Sequence, residues 1–223
     1  MILTNIYIYE MDEFHKLLEV SNFFSNYRLK KIESSNNIEV INRMIFTEYM
    51  LKHILELELN QKIEKIEIET KNINKPYLKN INKYFNISHK DNIIIIGLSN
   101  SDLGLDIEKV DHKHLKVAKR IYKENKNYKI DKIIKDFTIK ESYIKYYGST
   151  ILTNMKVINI SKSEVSGPEG ILKYKSFKYN DYYISLSQND DFKVNFNKVN
   201  KDFTINLINY NKYIKIHQSK EEE

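Results

Sequence analysis

The 223-residue chain carries 36 Lys and Arg against 30 Asp and Glu, a formal charge of +6, and has no cysteine, which excludes disulfides, thiolate catalysis and Cys-based metal sites. Its length suffices for one large or two small domains with a real core. No segment approaches the roughly 20 apolar residues of a membrane span, and the first residues lack the basic and apolar runs of a signal peptide, so a cytoplasmic protein without a membrane partner is expected.

Ile2 to Tyr9 alternates apolar and polar residues and predicts a strand. Asp12 to Phe24 predicts a helix with Asp12 as its N-cap, and Ser25 to Ile32 follows as a basic turn containing Arg28 and Lys31. On residue type alone that cluster reads as a solvated, charged helix end. Ile38 to Leu59 is apolar at 41, 44, 45, 51, 54 and 55, has no Gly or Pro, and predicts the longest helix. Arg43 on its rim suits either a bidentate grip on phosphate or an ion pair with Glu39 or Glu48. Ile66 to Glu69 alternates as a strand, and in the turn from Lys71 to Pro76 the proline restrains Lys75 toward extended geometry. Phe85 to Ser88 predicts a strand that presents Ser88 and His89 at its end. After an Asp91-Asn92 turn, four consecutive isoleucines, Ile93 to Ile96, predict a strand buried on both faces.

In Asp102 to Val110, Leu103, Leu105 and Ile107 alternate with Gly104, Asp106 and Glu108, so a strand would carry both acids on one face. Adjacent carboxylates repel unless a cation lies between them, and Mg²⁺ suits them because it takes oxygen ligands. The third acid such a site calls for stands in the helix expected over Phe137 to Tyr147, where Glu141 and Lys145 are i and i+4 and share a face. In an arbitrary helix that pair would be a surface ion pair worth about 0.3–0.5 kcal/mol. Between the two stretches, Asp111 leads through exposed His112 and His114 into a helix containing Leu115, Val117, Ala118 and Ile121, and Glu124 to Lys132 is a Lys/Asn-rich loop. Gly148 ends the second helix, and Ile151 to Ile160 begins the last sheet region. Strands are expected over Ile171 to Phe177 and Tyr182 to Leu186, bounded by turns at Ser166 to Gly170 and Tyr179 to Asp181. Phe192 to Ile216 reads as edge strands and Ser219 to Glu223 as a disordered tail.

Gly104-Leu105-Asp106-Ile107-Glu108 and Phe137 to Lys145 resemble the signature pair of the 4'-phosphopantetheinyl transferases, a G-[IVL]-D-[IV]-E strand and a later [FW]-[ST]-x-K-E-[SA]-x-x-K helix. Asn74-Lys75-Pro76 and Phe85-Asn86-Ile87-Ser88-His89 stand upstream where that family has a G-K-P-like turn and an F-N-[IL]-S-H segment. Asn74 replaces the usual Gly, and Lys90 follows where a small residue is more common. By length the chain is similar to the Sfp-type branch. The resemblance implies an α+β fold of two similar halves in a pseudo-twofold arrangement, near 1–100 and 101–200, with 201–223 as an edge strand and tail. It implies coenzyme A as co-substrate, held by Arg28, Lys31, Arg43, Lys75, Ser88 and His89. It implies Mg²⁺, or Mn²⁺, on Asp106, Glu108 and Glu141, with Asp106, Glu141 and Lys145 catalytic. The implied partner is an acidic apo acyl or peptidyl carrier protein, and a monomer with no nucleic-acid partner is expected. A metal-dependent phosphodiesterase or nuclease, and a basic binding module without catalysis, are the rival readings of the same acids and charge.

Overall fold

The apolar runs of the sequence become the strands and helices of an α+β fold. The computed structural model describes residues 1–11, 24–62, 66–70, 75–123, 128–149 and 154–199. Along the first half run β1 (Ile2–Glu10), α1 (Asn26–Glu33), α2 (Ile38–Leu59), a short pair β2 (Ile68–Thr70) and β3 (Pro76–Leu78), and a hairpin of β4 (Tyr84–Lys90) and β5 (Ile93–Ser99). Then come β6 (Gly104–Lys109), a 3-10 turn (His112–Val117), α3 (Ala118–Ile121) and α4 (Ile130–Tyr147). A second 3-10 turn (Met155–Val157) precedes β7 (Asn159–Ile160), β8 (Glu164–Gly167), β9 (Gly170–Tyr179), β10 (Tyr182–Gln188) and β11 (Phe192–Lys198).

The strands form two main sheets, ordered β11-β1-β5-β4 and β6-β10-β9-β8-β7. They pack face to face: Ile6, Ile8, Ile93 and Ile95 of the first meet Leu105, Ile107, Ile184 and Leu186 of the second. The even positions of the isoleucine run, Ile94 and Ile96, turn the other way onto Phe46, Tyr49 and Met50 of α2. β5 is therefore buried on both faces, as the sequence predicts, and each of these isoleucines contributes about 2 kcal/mol of burial. On the far side, α4 lays Ile133, Phe137, Tyr143 and Ile144 over Val165 and Leu172 of the second sheet. The layers run α2, sheet, sheet, α4.

One connectivity occurs twice. β1-α2-β4-β5 gives spatial order β1-β5-β4, and β6-α4-β9-β10 gives β6-β10-β9, all antiparallel. Both hairpins close through a residue in the left-handed region, Asp91 at φ 51° and Asn180 at φ 50°, where Asn and Asp are the best tolerated residues after glycine. β11 does not stay with the strands that precede it. It pairs in parallel with β1, Ile2 opposite Phe192 through Ile8 opposite Lys198.

Several expectations change. Ser25 to Ile32 is not a turn but α1, because Ser25 Oγ accepts the Arg28 amide at 3.2 Å as an N-cap and Ile32 is buried against Phe24 and Ile45. α4 starts two turns earlier than expected, at Ile130, because Ile133, Ile134 and Phe137 extend its apolar stripe past the lysines around them. The strand expected at Ile66 to Glu69 is β2, shifted to Ile68–Thr70. The helix expected around Leu115 is mostly 3-10, with Leu115 exposed and only Ala118–Ile121 helical in the α sense. The Asp12 helix, most of the Lys71 to Pro76 turn including Asn74, the side chain of His114, most of Ile151 to Met155 and everything from residue 200 lie outside the described residues.

Candidate active site

Gly104 fixes how β6 meets α4. A side chain there would collide with the Ser142 carbonyl oxygen and the Tyr146 amide nitrogen of α4, so only glycine lets the helix backbone cross at this height. Two serine contacts hold the crossing in register: Ser142 Oγ lies 2.7 Å from Ser187 Oγ, and Thr138 Oγ1 2.8 Å from Ser185 Oγ. Because Ser187 and Ser185 pair with Gly104 and Asp106 across the β10–β6 ladder, this seam aligns Asp106 and Glu108 with the next face of the helix. That face carries Glu141 and Lys145.

Asp106 is 5 % exposed. Its Oδ1 accepts from Lys145 Nζ at 2.7 Å and from Ser88 Oγ at 2.9 Å, and Lys145 also donates to Ser88 Oγ at 2.8 Å. Its Oδ2 is buried without a hydrogen-bond partner. Glu108 faces Lys90, whose Nζ stands 2.6 Å from Oε2; the two are an ion pair but are not aligned as a hydrogen bond, since Oε2 has no such partner. Glu141 is half-buried. Burial above all, then the neighbouring Asp106 charge, pushes its carboxyl up to about 7, against the pull of Lys145 and Arg120, with Glu108 adding to the rise. A carboxyl poised near neutrality beside a lysine can hold or accept a proton under physiological conditions.

All ten residues expected at the site line one cleft of about 600 Å³. Asp106, Glu108, Glu141 and Lys145 line it together. Ser88 and His89 come from β4, whose strand runs to Lys90 rather than ending at Ser88. Arg28, Lys31 and Arg43 enter from α1 and α2, and Lys75 from the start of β3. Six Lys or Arg side chains line it, the five named and Arg120, against three carboxylates, a balance suited to a polyanion. A larger concavity of about 840 Å³ lies along the other flank of α4, lined by Lys132, Lys135 and Asp136 among others, and contains none of these acids.

The basic residues are not equivalent. The ion pair weighed for Arg43 belongs to Arg28: its Nε lies 3.0 Å from Glu48 Oε2, and the buried Glu48 also takes the Ser25 amide at 2.6 Å and Ser25 Oγ at 3.0 Å. Arg28 is thereby oriented, while Arg43 faces the imidazole of His89 across the cleft and helps to disfavour its protonation. For His89, burial first and then the Arg43 and Lys145 cations lower the pKa below the usual histidine value, although its own side-chain surface is open. Lys31 lies over the Tyr27 ring, 4.4 Å from its centre. Lys75 has its ammonium on Asp102 Oδ1 at 2.6 Å, the Tyr146 carbonyl at 2.6 Å and the Leu103 carbonyl at 3.3 Å, so it braces the entry to β6 against the end of α4.

Sequence reasoning assigned no role to three residues. Arg120 stands at the cleft edge over the Phe137 ring, 5.8 Å from its centre. Lys140, 5 % exposed, donates to the Ile121 and Met155 carbonyls at 2.6 and 2.9 Å and so pins α3, which carries Arg120, to α4. Lys90 read only as an oddity. Lys140 fills the Lys position of the Lys-Glu pair in the helix motif, but its partners, like those of Arg120 and Lys90, are distant in the chain and have no local signal.

The donor set fits a hard divalent cation. Asp106 Oδ2 and Glu108 Oε2 are buried oxygens without hydrogen-bond donors, and such ions take oxygen ligands. Among the described residues, no three His, Asp or Glu side chains are close enough together to hold one ion as they stand. No helix is long and apolar enough to cross a membrane, among the described residues.

No family model matches the chain. A 4'-phosphopantetheinyl transferase, Gsp of Aneurinibacillus migulanus, is 28% identical over 137 residues, which cover 57% of this chain and 57% of that protein. The resemblance read from the motifs is therefore to a curated relative of the same description, and the match spans little more than half of the relative's length.

Proposed function

With that kinship as the premise, we propose that the chain is a 4'-phosphopantetheinyl transferase of the Sfp type. It moves phosphopantetheine from coenzyme A to a serine hydroxyl of an apo acyl or peptidyl carrier protein and releases adenosine 3',5'-bisphosphate. The observation that carries the reading is the meeting of the Gly104–Glu108 strand with the Glu141–Lys145 face of α4 inside a cleft whose rim is basic. On the same premise, the repeated strand-helix-hairpin units are two related halves in a pseudo-twofold arrangement, near residues 1–100 and 101–200, with β11 returned to the first sheet.

Asp106, Glu108 and Glu141 would hold Mg²⁺, or Mn²⁺, which when bound neutralises pyrophosphate charge and favours attack at phosphorus. The chain's own groups do the rest. Arg28, fixed by Glu48, grips the nucleotide end together with Lys31 and Arg43. His89 gains a proton as the anion settles beside it and donates to a phosphate oxygen. Lys145, already on Asp106 and Ser88, moves its charge toward the leaving phosphate oxygen. Glu141, directly or through a water, takes the proton of the attacking serine hydroxyl. Lys75 acts less by touching the nucleotide than by holding Asp102 and the last turn of α4 in place.

The test is intact-mass spectrometry of apo carrier proteins incubated with the chain, coenzyme A and Mg²⁺, with EDTA as control. A metal-dependent gain of one phosphopantetheine on the carrier serine is expected, and Asp106→Ala or Glu141→Ala should abolish it. Full activity in either variant would sink the assignment.

A further inference from the structure

β4 and β6 belong to different sheets, yet the side chains of β4 meet β6 and the residue before it rung by rung. Asn86 donates to the Leu103 carbonyl at 3.1 Å, Ser88 to Asp106 at 2.9 Å, and Lys90 stands 2.6 Å from Glu108. Strand alternation puts 86, 88 and 90 on one face, so the third contact follows from the register that makes the first two. It differs from them in kind. Asn86 and Ser88 are hydrogen-bonded and buried, whereas the Lys90–Glu108 pair is about one-fifth exposed on both sides and Glu108 Oε2 has no hydrogen-bond partner. An ammonium on a flexible four-carbon stem, held by charge without an aligned hydrogen bond, exchanges partners easily. With Lys145 on Asp106 and Lys90 on Glu108, each acid of β6 already has a cation, and among the described residues no three acids converge on one point.

We propose that Lys90 is a displaceable internal counter-ion of Glu108. It keeps the divalent-cation affinity of the free protein low, and it swings to the cofactor's phosphates when they enter, so that cation and polyanion bind together. The inference rests on the transferase reading for the identity of the polyanion, but not for the contest between Lys90 and a divalent cation over Glu108. A structural role alone would leave cation binding unaffected by removal of the pair.

Mn²⁺ titration of the full chain, followed by electron paramagnetic resonance of the free ion, tests this directly. Without cofactor, Lys90→Ala and Lys90→Gln are expected to bind Mn²⁺ about tenfold more tightly than the wild type, as removal of one facing charge requires; Lys90→Arg should stay weak. Glu108→Gln added to Lys90→Gln should cancel the gain. Coenzyme A should then tighten Mn²⁺ binding strongly in the wild type and much less in Lys90→Gln. Unchanged Mn²⁺ affinity in folded Lys90→Gln, or a gain that survives Glu108→Gln, overturns the proposal. Failure of coenzyme A to bind the wild type removes the transferase reading and the coupling, while the cofactor-free comparison still judges Lys90.

Discussion

Replacing Glu141 by Gln should destroy activity and stabilise the protein at the same time. Burial and the Asp106 charge raise this carboxyl from 4.5 to about 7 in the folded chain. Between those values the folded state binds more proton than the unfolded one, so stability falls as pH rises through the window; the penalty is absent below the unfolded pKa and complete above the folded one. At ~1.36 kcal/mol per tenfold change in proton affinity, the charge costs at most about 3 kcal/mol at pH 8, and screening at the open cleft brings the expectation to about 2 kcal/mol. A glutamine keeps the shape of the protonated acid without the charge. Urea unfolding of wild type and Glu141→Gln in EDTA, at pH 4 and pH 8, gives the difference directly: the two should be nearly equal at pH 4, and the variant more stable at pH 8. Equal stability at pH 8, or a less stable variant, would refute the view that the acid is held charged against its environment.

Other perturbations probe other layers. Gly104→Ala drives a methyl group into the backbone of α4, which has no side chain to yield; a loss of about 3 kcal/mol is expected in urea unfolding, the upper range for overpacking, and a loss under 1 kcal/mol would mean that the helix can lift. Glu48→Ala removes the acceptor shared by Arg28 and Ser25 and leaves Arg28 without its buried partner, so about 3 kcal/mol of stability and part of the coenzyme A affinity should be lost, as read by unfolding and by calorimetric titration. His89, held below the usual histidine value by its surroundings, should take up a proton when a polyanion binds at neutral pH. Calorimetry of coenzyme A binding in buffers of different ionisation enthalpy should register that uptake, and His89→Gln should remove it.

The sequence carried the site further than it carried the frame. Asp106, Glu108, Glu141 and Lys145 were legible because strand alternation and helical spacing fix which side chains share a face, whereas the close approach at Gly104 emerges only in the folded chain. The isoleucine run was legible for the same reason: nothing but two covered faces suits it. What failed was local polarity used as a boundary. The lysines of Ile130 to Lys135 hid two turns of α4 because their ammoniums sit on the outer face while Ile133 and Ile134 fill the core, and the basic residues of α1 hid a capped helix. The partners of Arg28, Lys75 and Lys140 could not be read at all. Each ammonium or guanidinium ends on a carbonyl or carboxylate that local spacing does not bring near, and only the folded chain brings it there.

The parallel pairing of β1 with β11 has a kinetic consequence. During synthesis β1 emerges early and pairs with β5 once that hairpin forms, but its other edge stays open until residues 192–198 arrive. An open edge of this kind, bordered by the buried Ile6 and Ile8, is a template for pairing with another chain. The contact that covers it spans most of the sequence and closes late, because long loops cost more entropy than short ones. The nascent protein therefore carries an open pairing edge along β1 until β11 is made. Shortening the chain ahead of Phe192 should harm solubility well before it harms the cleft.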